Sequence, residues 1–265
     1  MEELTERQLR EIEYHKQRAV RVRQVGTPVS YKVLDRPERR WWNHHWADYA
    51  VLCGLQVPGK CILIPGCGDG ADAILLNKLG AQVHAFDLSP DMLDVARERA
   101  DREEASVEFR QMAAEQLSYA DNTFDVIFAR DILHHCDLAR CLPEFLRVLK
   151  PGGVFLIDEL YTHRALQRLR ESRFGLWLRS KLWNVIYPES DEYITEDERK
   201  LTECDLAAVK SVLTDVTCRY FGMFVWRFMG HQDTAAKIDR IVLKMLGPAG
   251  SLFAGRFILT GTARK

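Results

Sequence analysis

The sequence predicts an α/β fold, a mostly parallel seven-stranded sheet with helices on both faces and an antiparallel last strand. Three observations predict it. Between Lys60 and Asp158, short apolar runs alternate with amphipathic stretches of helical period, the rhythm of a parallel sheet covered on both sides. The first run leads into a glycine-rich turn, Ile64-Pro65-Gly66-Cys67-Gly68-Asp69-Gly70, that opens directly into a helix. And 265 residues suffice for one such domain with an embellishment, but are short for two independent cores.

The elements follow in order. Residues 4–24 form a helix with Leu4, Leu9, Ile12, Ala19 and Val20 on a loose apolar stripe, stopped by Gly26-Thr27-Pro28. A second helix opens in the tryptophan-rich stretch Arg39 to Trp46 and runs to about Leu55, ahead of the Pro58-Gly59 turn. Together these make an N-terminal helical flap, residues 1–57. The sheet begins at Cys61 to Pro65, followed by a helix from Ala71 to Leu79, a strand from Gln82 to Asp87 and a helix from Pro90 to Glu103. Val107 to Met112 and Phe124 to Ala129 read as strands, Leu138 to Leu149 as a helix, and Gly153 to Asp158 as the fifth strand. The rhythm then breaks. Tyr161 to Tyr187 reads as helical, with arginines on one side and Leu, Phe and Trp on the other, and residues 161–199 are expected to be a lid inserted over the substrate. Thr202 to Leu213 restores a sheet-covering helix, and Asp215 to Phe224 with Gly255 to Ala263 closes the sheet as an antiparallel pair. The core is thus residues 58–160 and 200–265.

Composition narrows the function. With 37 basic against 38 acidic side chains there is no net field to draw the chain onto nucleic acid or an anionic membrane, so a small-molecule partner is expected. The seven cysteines are odd in number and form no CxxC pair, which argues against a disulfide framework or a zinc site and for a reducing, cytoplasmic setting. No apolar leader and no membrane-length apolar stretch is visible, so neither export nor a membrane span is expected.

The glycine turn is where a backbone can bend sharply and let a ligand approach closely. Alone it is a weak signal, and a GxGxxG dinucleotide fingerprint fails at its sixth place, Ala71. The next strand ends at Asp87, where a carboxylate can accept both hydroxyl hydrogens of a ribose; the alternative is a turn or helix-cap aspartate. His134-His135 follows the fourth strand at the expected active-site edge. His135, His45 and Glu159 are the candidate catalytic residues, with His44, His163 and Asp158 behind them. None of the histidines and carboxylates shows metal-ligand spacing, so no metal is expected.

Four segments in this order, ILIPGCGDG, FDLSPDML, AAEQLSYADNTFDVIFARDILHH and LRVLKPGGVFLIDE, resemble the class I S-adenosylmethionine-dependent methyltransferases in their UbiE-like small-molecule branch, the type 11 methyltransferase domain. The likeness spans about Lys60 to Asp158. It implies a Rossmann-like core, S-adenosylmethionine as cofactor and S-adenosylhomocysteine as product. Pro65, Gly66, Cys67 and Gly68 would pass beneath the methionine part, Asp87 would grip the ribose, and Leu88 and Met92 would lie against the adenine. Ala113, Ala114 and Glu115 would sit near the adenine edge and Arg130 near the amino-acid end. The chain departs from the pattern at Ile64 and Pro65, where an acidic residue usually precedes the first glycine by two places, and at Ala113, often an aspartate. Both changes remove acceptors.

Methyl transfer is an in-line displacement at a carbon already activated by a positive sulfur, so alignment and exclusion of water provide much of the catalysis. The apolar side of Tyr161 to Tyr187 and the stretch Phe221 to Trp226 point to an apolar or amphiphilic acceptor. A lipid, quinone, polyketide or decorated sugar would satisfy them, with methylation of oxygen preferred to nitrogen or carbon. The rival readings are a nicotinamide-dependent oxidoreductase and a non-catalytic cofactor-binding module of the same fold.

Overall fold

Apolar runs rich in Ile, Val and Phe form a parallel sheet in the computed structural model, which describes residues 4–26, 28–35, 43–173, 177, 199–222 and 233–263. The strands are β1 (Cys61–Pro65), β2 (Gln82–Asp87), β3 (Val107–Gln111), β4 (Phe124–Arg130), β5 (Leu149–Leu160), β6 (Leu213–Phe221) and β7 (Arg256–Ala263). Their order is β3-β2-β1-β4-β5-β7-β6, and β7 runs antiparallel to both β5 and β6. The predicted seven-stranded sheet with an antiparallel last strand is therefore the fold. In β1, Ile62, Leu63 and Ile64 are all buried, because helices cover both faces. Pro65 ends the strand in register with Phe86, where a missing N–H costs least. Strand order reverses between β1 and β4, and the crevice at their carboxyl ends is the usual ligand position in such sheets.

The two faces carry separate apolar layers. Leu63, Ile127, Phe145, Phe155 and Phe257 pack on one side; Ile62, Ile64, Phe128 and Leu156 pack on the other with Trp46, Tyr49 and Leu52. Full burial of each such side chain contributes about 1.5–3 kcal/mol.

Helix α1 (Glu6–Val25) starts in a Thr5–Gln8 capping box and stops at Gly26, which takes a left-handed φ of 58°. It lies on α5 (Pro90–Arg102), burying Ala19 against Met92 and Val95, with Arg23 paired to Glu98. A short helix α2 (Lys32–Asp35) precedes α3 (His44–Gly54), which is capped by Asn43 on the Trp46 N–H at 2.9 Å. Trp41 and Trp42 lie outside the described residues. Helices α4 (Ala71–Lys78) and α6 (Leu138–Val148) are the predicted crossovers.

Beyond β5 the structure departs from expectation. Tyr161 is not helical but bridges Leu201 in parallel, and helix α7 (Arg164–Glu171) begins only after a His163 cap. Most of the rest of the expected lid, residues 174–176 and 178–198, lies outside the described residues. Helix α8 (Glu203–Ser211) covers the sheet as predicted, capped by Thr202 and Asp205. Two helices that the sequence reading did not anticipate, α9 (Asp233–Leu246) and α10 (Gly250–Phe253), separate β6 from β7. Of the aromatic stretch after β6, residues 223–226 are outside the described residues. Among the described residues no helix is long and apolar enough to cross a membrane.

Candidate active site

A cavity of about 870 Å³ opens at the carboxyl ends of β1, β2 and β4, walled by the glycine turn, the end of β2, residues 112–115, the loop after β4 and one side of α1. The turn owes its shape to alternating glycines: Gly66, Gly68 and Gly70 have φ of +59°, +52° and +77°. A Cβ on Gly66 would come within 2.6 Å of Ile132 Cδ1, and one on Gly70 within 2.9 Å of Ala96 Cβ, so close packing as well as conformation requires glycine there.

Asp87 accepts the Gly68 N–H at 2.8 Å through Oδ2 and the Ser89 N–H at 2.9 Å through Oδ1. Each oxygen keeps a further lone pair, and the side chain stands on the cavity wall. Pro65, Cys67, Leu88, Ala113, Ala114 and Glu115 also line the cavity. Met92 does not line the cavity but is fully buried, packed with Ala19 of α1 and Val95. Glu115 fastens the surroundings, accepting the Asp137 N–H at 3.0 Å and Gln8 Nε2 at 3.4 Å.

Ile64 is buried and offers no acceptor. A carboxylate nonetheless reaches this wall from Asp72, in the first turn of α4, whose Oδ1 accepts the Tyr49 hydroxyl at 2.8 Å and whose Oδ2 pairs with Arg130. Burial works against the Arg130 charge, but Asp72 and then Asp48 more than offset it and hold the guanidinium above its ordinary value. His45 Nδ1 faces Arg130 Nη1; burial first, then the Arg130 charge, push this imidazole down to about 4, so it is neutral at physiological pH.

The loop after β4 hangs on Glu159. That side chain is fully buried, with Oε1 accepting the N–H of Ile132 at 2.7 Å and of Leu133 at 2.5 Å, and Oε2 facing His134 Nδ1 at 2.7 Å. Glu159 is thus occupied with shaping the loop. The loop presents His135 to the cavity, and His135 Nδ1 lies 2.7 Å from Glu11 Oε1 on α1. Burial would raise the Glu11 carboxyl, but the hydrogen bond and charge of His135, with His15 and Arg7, bring it below its ordinary value. Arg7 also donates to the His134 carbonyl at 2.8 Å. Glu11 was not among the sequence candidates; its place beside Ile12 and four residues before His15 on the α1 stripe was the only signal. His163 caps α7 through the Ala165 N–H, away from this chemistry.

Behind the wall lies a charged layer. Asp158 is fully buried between His44 Nδ1 at 2.6 Å and Arg256 Nε at 3.1 Å, and Arg256 also reaches Asp131 at 2.6 Å. Burial would raise the Asp158 carboxyl, yet Arg256 and His44 hold it well below its ordinary range. Asp48, one helical turn from His44 and equally buried, goes the other way: burial and then Asp158 push it well up.

Residues 63–157 match the family model described as a methyltransferase domain. Phosphoethanolamine N-methyltransferase 1 of Arabidopsis thaliana is 41% identical over 104 residues, 38% of this chain and 21% of that protein. The ubiquinone biosynthesis O-methyltransferase of Alkalilimnicola ehrlichii is 32% identical over 141 residues, covering 48% of this chain and 57% of that one. The chain therefore spans only about a fifth of the length of the first relative and little over half of the second. Among solved structures, Haemonchus contortus phosphoethanolamine N-methyltransferase 2, in complex with phosphomonomethylethanolamine and S-adenosylhomocysteine, superposes with a TM-score of 0.52 at 19% identity, over 83% of this chain and 52% of that one.

Proposed function

We propose that the protein, whose residues 63–157 match a methyltransferase-domain family model, transfers a methyl group from S-adenosylmethionine to a small apolar or amphiphilic acceptor, with oxygen preferred as the methylated atom. One observation carries the reading: a single cavity holds both the Gly66–Gly68 cradle with Asp87 and, across from it, the His135–Glu11 pair. The residues present fit the cofactor. Glycines leave room along the turn, and the free lone pairs of Asp87 suit a ribose diol. When bound, the cofactor supplies a methyl group on a positively charged sulfur.

This chain's residues do the rest. Gly66, Cys67 and Gly68 support the methionine part, and Leu88, Ala113, Ala114 and Glu115 bound the adenine. Arg130 receives the carboxylate, and Asp72 substitutes for the acceptor that Ile64 cannot provide. His135, oriented by its Nδ1 contact with Glu11, is the residue assigned to take a proton from an acceptor hydroxyl through Nε2, a role worth roughly 10²–10⁴ in rate. A nitrogen acceptor needs only desolvation and deprotonation before it attacks, whereas a hydroxyl gains from a base within reach in the transition state, and oxygen is preferred on that ground. The relatives' names include both an O- and an N-methyltransferase. Glu159 acts through the loop that presents His135, and neutral His45 keeps Arg130 in place.

The test is calorimetry with S-adenosylhomocysteine, followed by a screen of lipid, quinone, polyketide and sugar hydroxyls with methyl-labelled S-adenosylmethionine. Binding and label transfer to an oxygen are expected. No binding at millimolar concentration sinks the cofactor assignment; transfer only to nitrogen or carbon sinks the oxygen preference.

A further inference from the structure

We propose that His44, Asp48 and Asp158 form a binding site for a divalent cation of the Mn²⁺ type, one layer behind the cavity wall made by Arg130 and Arg256. His44 and Asp48 are four residues apart on α3 and so share a face, which packs toward the ends of β5 and β7. There they meet Asp158, and one ligand atom from each residue lies within 4.8 Å of the others.

The telling residue is Asp48. Its side chain is fully buried, and neither carboxylate oxygen has a hydrogen-bond partner among the described residues. A carboxylate in that position must either be neutralised by a proton or hold a cation. A proton shared with Asp158 would satisfy one Asp48 oxygen and leave the other bare. A cation held by both oxygens satisfies the pair. The charge balance points the same way: four carboxylates, Asp48, Asp72, Asp131 and Asp158, face Arg130, Arg256 and the His44 imidazole, so acidic groups outnumber basic ones and a bound cation reduces the excess.

The surroundings resemble an outer shell. Arg256 Nε holds Asp158 Oδ1 at 3.1 Å, which turns Oδ2 toward His44 at 2.6 Å. The His44 side chain is 23% exposed, which gives an ion a route in. One imidazole with two carboxylates suits a first-row divalent ion better than a thiolate-seeking one. A second group with the right spacing, Asp131, His134 and Glu159, lacks the same argument, because both Glu159 oxygens already accept hydrogen bonds. Sequence spacing alone could not find the site, since its third member comes from a strand far along the chain.

The experiment uses untagged full-length protein, stripped with a chelator and titrated with Mn²⁺ while the electron paramagnetic resonance signal of the free ion and the thermal midpoint are followed. One equivalent bound, a raised midpoint, and affinity weaker by about tenfold or more in Asp48→Asn are expected. No binding to the wild type at millimolar Mn²⁺, or equal binding to Asp48→Asn, overturns the proposal. If Asp48→Asn fails to fold, His44→Phe provides the same comparison, and the wild-type stoichiometry decides on its own. S-adenosylhomocysteine binding, measured on the same stripped protein, tests the methyl-transfer reading independently.

Discussion

The two walls of the cavity are built differently. On the β1–β2 wall the polar contacts are local: Asp87 takes the N–H of Gly68, 19 positions away, and of Ser89, 2 positions away. On the β4–β5–β7 wall they are remote: His44 meets Asp158 across 114 positions, His135 meets Glu11 across 124 and Arg256 meets Asp131 across 125. The first wall is mostly backbone shaped by glycine, and the second is mostly charge brought together by the finished fold. Damage to the first should therefore be felt in ligand affinity, and damage to the second in stability and turnover.

Glu159→Ala tests the second wall hardest. It leaves His134 and two loop N–H groups without their buried partner, and denaturant titration should show a loss of about 3–5 kcal/mol. A loss under about 1 kcal/mol would mean that the loop does not depend on Glu159. His135→Ala should leave S-adenosylhomocysteine affinity nearly intact while turnover falls by roughly 10²–10⁴; unchanged turnover removes His135 as the base. On the first wall, Asp87→Ala should weaken S-adenosylhomocysteine binding by about 1–3 kcal/mol in calorimetry, and unchanged affinity would end the ribose assignment.

The smallest effect concerns the tie between α1 and the loop. The folded Glu11 carboxyl lies below its ordinary value of 4.5, so its contribution is present above that pH and fades as pH falls through the lowered value. Thermal midpoints of wild type and Glu11→Gln should therefore differ most above pH 4.5 and converge in stronger acid. A gap that widens in acid would contradict the sign.

The contrast also explains what could be read in advance. β1 and β2 fall at the predicted Cys61–Pro65 and Gln82–Asp87, because continuous apolar runs bounded by turns are a local property, and the Gly66-to-Asp87 spacing is local too. Asp72, Tyr49, Glu11, Asp48 and Arg256 escaped notice because nothing periodic links α1, α3, α4 and β7; only the closed sheet does. Helices α9 and α10 were missed because an antiparallel pair suggests a short connection. Tyr161 was read as helical from its apolar neighbours, whereas the bridge to Leu201 keeps the chain extended. The resemblance places Met92 at the adenine, whereas the side chain is fully buried with Ala19 and Val95 and does not line the cavity.

The walls are not independent. Gly66 gives up a side chain where Ile132 rests against it, with only 2.6 Å left between an added Cβ and Ile132 Cδ1. The turn and the loop around Ile132 are therefore close neighbours, so ligands bound on the two walls are expected to influence each other. Thermodynamic linkage then requires reciprocity: whatever factor an acceptor applies to cofactor affinity, the cofactor applies to the acceptor. The expected readout is a change in cofactor affinity on adding acceptor that equals the change in acceptor affinity on adding cofactor.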